Sequence, residues 1–395
     1  MIGFDEALER ISSAARPLGT DTVALHEAAG RVLAEPVVAR IASPRSDVSA
    51  MDGYAVRDSD LDELPARLRV AGESFAGARW DGTAAAGECV RIFTGAPIPA
   101  GTDRVVIQEN VRREGDLAVI EERPGKARHV RERGGDFEEG DELLPAGRLL
   151  DSRAIVAAAA ADVSELEVFS RPRMCILSTG DELAEPGTAA RDPDAVPESV
   201  SLGIAAMASD WGAAVTGRQR LRDELEAMEQ CAMQALADAD LVVVTGGASV
   251  GEKDFAKAMF EPAGLEFIFS KVSIKPGKPA WLGRSAQSLV MGLPGNPTSA
   301  LVTARLLLAP LLAGLLGRNP GEALRWRRAK LAVPLGECGE RETFHRARWA
   351  DDKVEILSFQ DSSAQKALAE ADLLVRQHAN SPGVPAGGEV RVLDF

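Results

Sequence analysis

The chain has 395 residues, more than the roughly 250 to 300 residues that one hydrophobic core serves, so we expect two or more domains. Hydrophobic residues make up 45% and charged residues 27%, which is typical of a folded chain and excludes a disordered one. The formal net charge of −15 argues against nucleic-acid binding, so any anionic ligand must be held by local groups. The 4 cysteines are far apart and form no CxxC pair, and neither they nor the 4 histidines have the spacing of a zinc site. A reducing cytoplasm fits these scattered cysteines best.

From the sequence pattern we expect no signal peptide and no membrane span. Its first residues alternate acidic and apolar side chains without a basic segment before an apolar one, which predicts an amphipathic helix. The apolar segment 300–316 is shorter than the ~20 residues of a membrane span and contains Arg305 and Pro310. It predicts a buried helix, and we expect a cytoplasmic protein with no membrane partner.

The first half of the chain divides into three segments. Residues 1–42 are predicted to be largely helical, because Phe4, Leu8 and Ile11 share one helical face, and to form the first part of a helical linker domain. Residues 43–142 contain short β-type runs between glycines and prolines, which indicates an inserted β-rich domain. Residues 143–171 predict a capped helix that returns the chain to the linker domain.

The second half predicts two more domains. From residue 172 to residue 317 strands alternate with helices, which is typical of an α/β domain with a mostly parallel sheet and helices on both faces. Residues 318–395 return to short strands and predict a small C-terminal β barrel or sandwich. The predicted fold class is therefore multidomain α/β.

Three apolar strands of the α/β domain end in glycine-rich turns that lead into helices. Backbone N–H groups and the helix dipole favour phosphate at such turns, and parallel strands end at one edge of a sheet. The second turn imitates a P-loop, but Glu252 stands where lysine is required, so it is not a Walker motif. The turn residues predicted to bind ligand are Gly180, Gly246, Gly247, Ser249, Gly251, Pro294, Gly295 and Pro297.

Charged residues accompany these turns. Lys275 and Lys278 lie in a proline-stiffened turn that can aim ammonium groups at an oxyanion, although an exposed lysine is more often a solvated turn charge. Four acidic residues lie at loops or helix starts, where one or two could hold Mg²⁺ against a phosphate or could instead cap helices. These residues are Asp181, Glu182, Asp223 and Asp254.

Six motifs in order resemble those of the MoeA family, molybdopterin molybdenumtransferase, to which the gephyrin C-terminal region also belongs. They are SAMDGYAV from Ser49, TGAPIPAG from Thr94, STGDEL from Ser178, GGASVGEKDF from Gly246, IKPGKP from Ile274 and GLPGNP from Gly292. The resemblance implies an elongated homodimer of four-domain subunits. It also implies that adenylated molybdopterin and molybdate, with Mg²⁺, yield molybdenum cofactor and AMP in a cleft between the α/β domain of one subunit and the insertion of the other.

The resemblance also assigns roles to individual residues. The insertion would contribute Asp52, Thr94 and Asp136. The residues implied to act in catalysis are Asp52, Glu182, Asp223, Asp254, Lys275 and Lys278. Among the loop carboxylates, we predict Asp181, Glu182 and Asp254 as the Mg²⁺ ligands. The residues implied to meet molybdate are Lys278, Ser299, Arg341 and Ser362. The chemistry asked of these groups is electrostatic and needs no protein nucleophile.

Two positions depart from the family pattern. Val48 replaces an asparagine before SAMDGYA, and Val200 replaces the asparagine of an Asp-Ser/Thr-Asn turn. If that amide contacts substrate, Val200→Asn should tighten substrate binding; if Val200 is a core residue, the change should destabilise the fold. A divergent gephyrin-like scaffold and a pterin adenylyltransferase remain the alternatives. The expected partners are a second copy of the chain, the pterin adenylyltransferase and apo-molybdoenzymes.

Overall fold

The computed structural model describes residues 1–246 and 255–395, and α-helix occupies only Phe4–Ala14 of the first 42 residues. Helix α1 (Phe4–Ala14) is followed by the strands β1 (Thr20–Ala24) and β2 (Val37–Val38). The prediction of a largely helical segment was wrong beyond α1, because long-range pairing overrides the local apolar spacing. Leu33, for example, forms an isolated bridge with Val168.

Helix α1 packs against the second half of the chain. Its buried side chains, which include Phe4 and Ile11, belong to the hydrophobic core of the α/β domain. The Phe4 ring also lies 4.9 Å from the ring of Phe344 in the C-terminal domain. The first helix therefore joins two later domains, although the sequence assigned it to the linker domain.

The insertion is built on one six-stranded sheet with the strand order β7-β4-β6-β5-β9-β8. Strand β10 pairs with β3, and β11 pairs with β2, so the insertion leaves and re-enters the linker region at one strand pair. Strand β11 crosses the predicted boundary at residue 142. The strands are β3 (Val48–Ser49), β4 (Gly53–Val56), β5 (Ala66–Ser74), β6 (Glu88–Ile92), β7 (Arg104–Ile107), β8 (Arg112–Glu114), β9 (Leu117–Ile120), β10 (Val130–Arg131) and β11 (Glu142–Leu144).

The chain then forms α2 (Ser152–Ala160), whose start the sequence predicted. The carboxylate of Asp151 accepts a hydrogen bond of 2.9 Å from the N–H of Ala154, as an N-cap does. Strand β12 (Glu165–Phe169) follows and pairs with β1, which closes the linker region around its own hydrophobic core.

The α/β domain contains a six-stranded sheet with the order β16-β13-β17-β21-β20-β18. The first four strands are parallel, and β20 and β18 extend the sheet antiparallel. The mostly parallel sheet is confirmed; β20 and β18, which join it through antiparallel pairings, were not predicted. The elements are β13 (Arg173–Thr179), β14 (Leu183–Ala184), β15 (Val196–Pro197), α3 (Val200–Asp210), β16 (Ala214–Leu221), α4 (Leu225–Asp238), β17 (Leu241–Thr245), α5 (Phe255–Ala258), β18 (Glu266–Phe269), β19 (Ile274–Lys275), β20 (Trp281–Ser285), β21 (Ser288–Leu293), α6 (Pro297–Thr303) and α7 (Ala309–Leu315).

Alternate residues of the central strands bury opposite faces of the sheet. Ile176 and Val243 face one hydrophobic core, while Leu177 and Val244 face another. Helices therefore cover both faces, as predicted. The segment Pro297–Leu315, in which a π-helical stretch joins α6 to α7, is long and apolar enough to cross a membrane, but 89% of its most apolar window is buried in the protein. It is a core helix, as expected.

The C-terminal domain is a closed five-stranded barrel, because the pairing of β23 with β25 completes the ring β23-β24-β22-β26-β25. Strand β19 of the α/β domain adds to this barrel by pairing in parallel with β23. The barrel is confirmed, although β25 was not predicted. Its elements are β22 (Arg327–Leu331), β23 (Glu342–Ala350), β24 (Lys353–Ile356), α8 (Gln365–Ala369), β25 (Leu373–Gln377) and β26 (Glu389–Asp394).

Candidate functional site

The three glycine-rich turns meet at one edge of the α/β sheet. Strands β13, β17 and β21 are adjacent and parallel, so Gly180, Gly246 and Gly295 follow their carboxyl ends side by side. A Cβ atom on Gly246 would overlap the carbonyl oxygen of Thr179, and one on Gly295 would lie 3.1 Å from the Cα of Gly246. Close approach of the backbones therefore requires glycine at Gly246, and it packs the second and third turns directly together.

Part of the second turn cannot be placed on this edge. The predicted ligand-binding residues Gly247, Ser249 and Gly251 and the predicted metal ligand Asp254 lie outside the described residues. Their proposed roles rest on the sequence alone.

Acidic side chains surround the first turn. Asp181 accepts a hydrogen bond of 3.1 Å from the backbone N–H of Asp223, which ties the turn after β13 to the turn after β16. The side chain of Glu182 folds back over Gly180, since a Cβ atom there would lie 2.7 Å from a Glu182 carboxylate oxygen. Within residues 1–246 and 255–395 no three His, Cys, Asp or Glu side chains converge as a ready-made metal site. Asp181 and Glu182 thus lie beside Gly180, and Mg²⁺ binding by these two carboxylates stays a prediction.

The two lysines lie on a turn fixed between the sheet and the barrel. Lys275 ends β19, which pairs with β23, and Lys278 follows in the same turn; both side chains are exposed. Gly277 between them packs against the hydroxyl of Thr303 in α6, where a Cβ atom would overlap it. Ser299 lies one helical turn before Thr303 on the same face of the helix. Its exposed fraction is only 6%.

The barrel contributes a loop to the third turn. Asn296 donates from its side-chain amide to the Ser362 hydroxyl at 3.0 Å, and Thr298 donates its N–H to the Ser362 carbonyl at 3.2 Å. Pro297 is the first residue of α6, and Pro294 is buried behind the turn. Ser362 therefore lies at the N-terminal end of the core helix.

Arg341 approaches the lysine turn from the start of β23. Its guanidinium donates to the carbonyl of Ile274 at 3.4 Å, next to Lys275. The structure thus brings Arg341, Ser362 and the two lysines to the side of the sheet on which the glycine turns meet. These residues come from segments as much as 87 positions apart (275 to 362), and the pairing of β19 with β23 unites them.

Asp52 and Thr94 lie together in the insertion, because β4 and β6 are paired. One Asp52 oxygen accepts from the Thr94 N–H at 2.7 Å and from its hydroxyl at 2.8 Å. These bonds, with a smaller contribution from Arg91, lower the pKa of Asp52. Asp136 is exposed after β10 and donates its N–H to the Ser43 carbonyl at 3.0 Å. Among the described residues no hydrogen bond or ion pair joins Asp136 to Asp52, or joins either of them to Gly180, Gly246 or Gly295.

Glu198, which stands two residues before Val200 in the turn that departs from the family pattern, has a structural role that the sequence did not predict. It is 7% exposed and accepts hydrogen bonds from the Ser201 N–H at 2.8 Å and the Ser178 hydroxyl at 3.3 Å. Arg218 donates to the Ser201 hydroxyl at 3.1 Å. Glu198 therefore fixes the start of α3 against the end of β13, directly before the first glycine turn. The sequence signal for this role was the position of Glu198 three residues before Ser201, from whose N–H it accepts a hydrogen bond.

The neighbouring Val200 is a core residue. It begins α3, is 7% exposed and packs in the hydrophobic core that contains β13 and α6. We expect Val200→Asn to destabilise the fold by roughly 1–3 kcal/mol, because the amide would be buried without a partner, and not to tighten substrate binding. Thermal unfolding and substrate titration of the variant measure both effects. Leu202→Asn is the control, since Leu202 is 43% exposed on the same helix; tighter binding by the Val200 variant alone would contradict this assignment.

His345 lies beside the lysine turn with a defined tautomer. The Gln377 amide nitrogen donates to the Gly336 carbonyl at 2.7 Å, so its amide oxygen accepts the 2.9 Å hydrogen bond from Nε2 of His345. Burial lowers the pKa of His345 from its ordinary value of 6.5, the hydrogen bond with Gln377 opposes this shift, and the charge of Lys275 adds to it. The imidazole is therefore neutral near pH 7.

The lowered pKa of His345 predicts an acid-sensitive fold. Above pH 6.5 the ring is neutral in both the folded and the unfolded chain, so it imposes no penalty. Below pH 6.5 the unfolded chain takes up the proton more readily, and the folded state loses stability as the pH falls. His345→Gln should therefore show a smaller drop in thermal midpoint from about pH 7.5 to about pH 5 than the unaltered chain, because this range brackets the ordinary pKa of histidine.

A matched control is His26→Gln, because the His26 side chain is 82% exposed. It should unfold with the same pH dependence as the unaltered chain. Equal acid sensitivity of the His345 and His26 variants would show that His345 does not carry the effect.

Comparison with known proteins agrees with the domains and motifs described above. Residues 2–161 match the family model for the MoeA N-terminal region (domain I and II), and residues 175–314 match that for a probable molybdopterin binding domain. The molybdopterin molybdenumtransferase of Haemophilus influenzae is 33% identical over 402 residues, which cover 100% of this chain and 99% of the relative. Molybdopterin molybdenumtransferase 2 of Mycobacterium tuberculosis is 34% identical over 395 residues, covering 97% and 96%.

A solved structure from the same family has the same fold. A crystal structure of the molybdopterin biosynthesis MoeA protein from Pyrococcus horikoshii superposes with a TM-score of 0.84 at 28% identity, covering 100% of this chain and 99% of that one. An α/β domain of the molybdopterin-binding kind, joined to an inserted β domain and a C-terminal barrel, defines a protein of molybdenum cofactor biosynthesis. The chain belongs to the MoeA family of molybdopterin molybdenumtransferases.

Proposed function

We propose that this transferase inserts molybdenum from molybdate into adenylated molybdopterin and releases AMP in the presence of Mg²⁺. The observation that carries the proposal is the meeting of three glycine turns, a lysine turn and Ser362 of the barrel at one edge of the α/β sheet. Such turns suit phosphate groups, and the lysine and arginine side chains suit the molybdate oxyanion. The four free cysteines agree with a reducing cytoplasm as the site of this reaction.

The described residues perform electrostatic work in this proposal. Water attacks at the bond between the two phosphates, which breaks to give AMP and the phosphate of molybdopterin, and Lys275 and Lys278 offset the negative charge that develops. Arg341 and Ser362 hold molybdate beside the dithiolene sulfurs. The two hydrogen bonds from Thr94 keep Asp52 ionised. In turn, the charged carboxylate of Asp52 orients the N–H and hydroxyl donors of Thr94, since such a group accepts hydrogen bonds strongly. No protein nucleophile is required.

The carboxylates near Gly180 fit Mg²⁺. The ion prefers one or two carboxylate oxygens with water and phosphate oxygens, and the side chains of Asp181 and Glu182 are exposed beside the first turn. Asp254, outside the described residues, is the remaining predicted ligand. When bound, Mg²⁺ would offset charge on the phosphate oxygens.

We also propose that the active unit is a homodimer with a site shared between two subunits. Asp52 and Thr94 lie on the separate sheet of the insertion, and no hydrogen bond within the described parts of the chain links that sheet to the lysine turn. A second copy would supply the insertion half of each site. The pterin adenylyltransferase, as the source of adenylated substrate, and apo-molybdoenzymes, as acceptors of the cofactor, are the further partners of this proposal.

The test couples both products of the reaction. Purified protein is mixed with adenylated molybdopterin, Mg²⁺ and molybdate, and AMP release is followed together with activation of an apo-molybdoenzyme. Both signals should require molybdate and Mg²⁺. Binding of a peptide ligand without AMP release would instead favour a gephyrin-like scaffold, and formation of adenylated pterin from ATP would favour the adenylyltransferase.

A further inference from the structure

The barrel residues that carry Ser362 form an irregular connection. Residues 357–364, here called the Ser362 loop, follow β24 and precede α8 without helix or strand of their own. The loop nevertheless meets the start of α6 through the two hydrogen bonds of Ser362 with Asn296 and Thr298. A short irregular loop of this kind keeps one conformation only when other groups hold its backbone.

Arg346 is the group that holds it. This side chain lies on β23, is only 2% exposed and is among the largest fully buried side chains of the described chain. Its Nη2 donates to the carbonyls of Phe359 and Asp361 at 3.2 Å and 3.0 Å. Its Nη1 donates to the Ala364 carbonyl at 3.3 Å and to the Thr298 hydroxyl at 3.4 Å. One guanidinium thus contacts the middle and the end of the loop and the first turn of α6.

Gln360 completes this arrangement. Its side-chain nitrogen donates to the carbonyls of Arg346 and Leu357 at 2.8 Å and 2.7 Å, and its oxygen accepts from the Arg346 N–H at 3.0 Å. Two sets of hydrogen bonds therefore join the loop to β23. The Arg346 guanidinium binds loop carbonyls, and the Gln360 side chain binds the Arg346 backbone.

The acceptors of Arg346 are carbonyl and hydroxyl oxygens, and none of its hydrogen bonds in the described chain goes to a carboxylate. Burial lowers the pKa of Arg346, while the nearby charge of Asp361 opposes that shift. Burying a guanidinium among neutral acceptors costs free energy. The planar guanidinium offsets this cost because its fixed donors bind several backbone groups at once. Lysine has one nitrogen and cannot satisfy the same four acceptors.

We infer that Arg346 is a positioning residue of the active site, which acts through the Ser362 loop and sets the place of the Ser362 hydroxyl at the start of α6. The inference rests on the proposed function for the substrate that Ser362 meets, molybdate. Arg346 itself lies buried behind the loop and contacts no reacting atom in this arrangement. Its loss should therefore weaken the handling of molybdate more than that of adenylated molybdopterin.

The first measurement is amide hydrogen exchange of the intact protein. In Arg346→Lys the amides of the Ser362 loop and of Thr298 should exchange at least roughly tenfold faster, since their fixed arrangement depends on the guanidinium. The control is Arg376→Lys, because Arg376 is also buried in the barrel, at 8% exposed, but pairs with Glu342 and Asp5 away from the loop. Unchanged exchange in the loop of Arg346→Lys would overturn the inference, whatever the kinetics.

The second measurement is kinetic. In Arg346→Lys the KM for molybdate should rise roughly tenfold to 10²-fold, while the KM for adenylated molybdopterin should change little; Arg376→Lys should leave both unchanged. Because Arg346 acts through Ser362, the increase should be largely absent when Arg346→Lys is introduced into Ser362→Ala. Independent, multiplicative effects of the two substitutions on the KM for molybdate would also overturn the inference.

A milder variant covers the case in which Arg346→Lys does not fold. Gln360→Ala removes the second fastening of the loop and keeps the buried charge, and it should show the same faster exchange of the loop and Thr298 amides and the same selective rise in the KM for molybdate. Absence of either change in a folded Gln360→Ala would count against the loop as the positioning element. If the unaltered protein releases no AMP, the proposed function fails, and hydrogen exchange alone decides whether Arg346 holds the loop.

Discussion

Replacing Lys278 by alanine is expected to lower molybdenum insertion by roughly 10²-fold or more while leaving the fold nearly intact. Lys278 is exposed, and exposed positions usually change the free energy of unfolding by within ~0.5 kcal/mol. Its turn is held in place by Gly277 against α6 and by the pairing of β19 with β23, so the ammonium group has a fixed base. Loss of its charge should therefore act on the reacting oxyanion and not on folding.

The measurement is AMP release over a range of molybdate concentrations at constant Mg²⁺. Lys278→Arg should rescue only in part, because a planar guanidinium does not reproduce a compact ammonium. Lys271→Ala is the matched control, since Lys271 is an exposed lysine just before the same turn. Full turnover by Lys278→Ala at every molybdate concentration would return Lys278 to the status of a solvated turn charge.

The parts of the fold that the sequence predicted are those in which local pattern and tertiary structure agree. Strands β13, β17 and β21 of the α/β domain are apolar runs buried on both faces, and the turns after them contain the glycines that close backbone contact requires. The convergence of Gly180, Gly246 and Gly295 follows from strand order, because neighbouring parallel strands end at one edge. That part of the candidate site could therefore be predicted without coordinates.

The errors arise where long-range pairing decides the structure. Residues 20–42 have helical apolar spacing, yet β1 pairs with β12 at a distance of more than 140 positions (20 to 169). Strand β25 (Leu373–Gln377) contains Arg376 and Gln377, both buried, so its pattern is not that of an ordinary strand. Neither feature can be read from a window of neighbouring residues.

The supporting residues of the site were missed for a related reason. Arg346 and Glu198 are charged side chains that a sequence reading places at the surface, whereas here they are buried and bind backbone or hydroxyl groups from distant segments. Their function depends on which loops meet in three dimensions. The residues implied by the family motifs, such as Lys278 and Ser362, were found because the motif itself carries that information.

Mixing two weakly active variants is expected to restore part of the activity if the site is shared between subunits. Asp52→Ala removes the carboxylate that the Thr94 N–H and hydroxyl bind in the insertion, and Lys278→Ala removes an ammonium group of the α/β half. A heterodimer of the two has one site in which both substitutions fall and one in which neither does. After complete exchange in an equal mixture, half of the dimers would be mixed, and activity should reach about a quarter of that of the unaltered protein.

The control for this experiment is a mixture of Asp52→Ala with Thr94→Ala. Both residues lie in the insertion and share one hydrogen-bonded contact, so every site of a mixed dimer still lacks one member of the pair. This mixture should stay at the level of its parents, whereas the Asp52 and Lys278 mixture recovers. Subunit exchange is verified with a mass-labelled chain before AMP release is measured. If exchange is complete and the Asp52 and Lys278 mixture shows no recovery, then each site is formed within a single chain, because independent sites gain nothing from a neighbouring variant subunit.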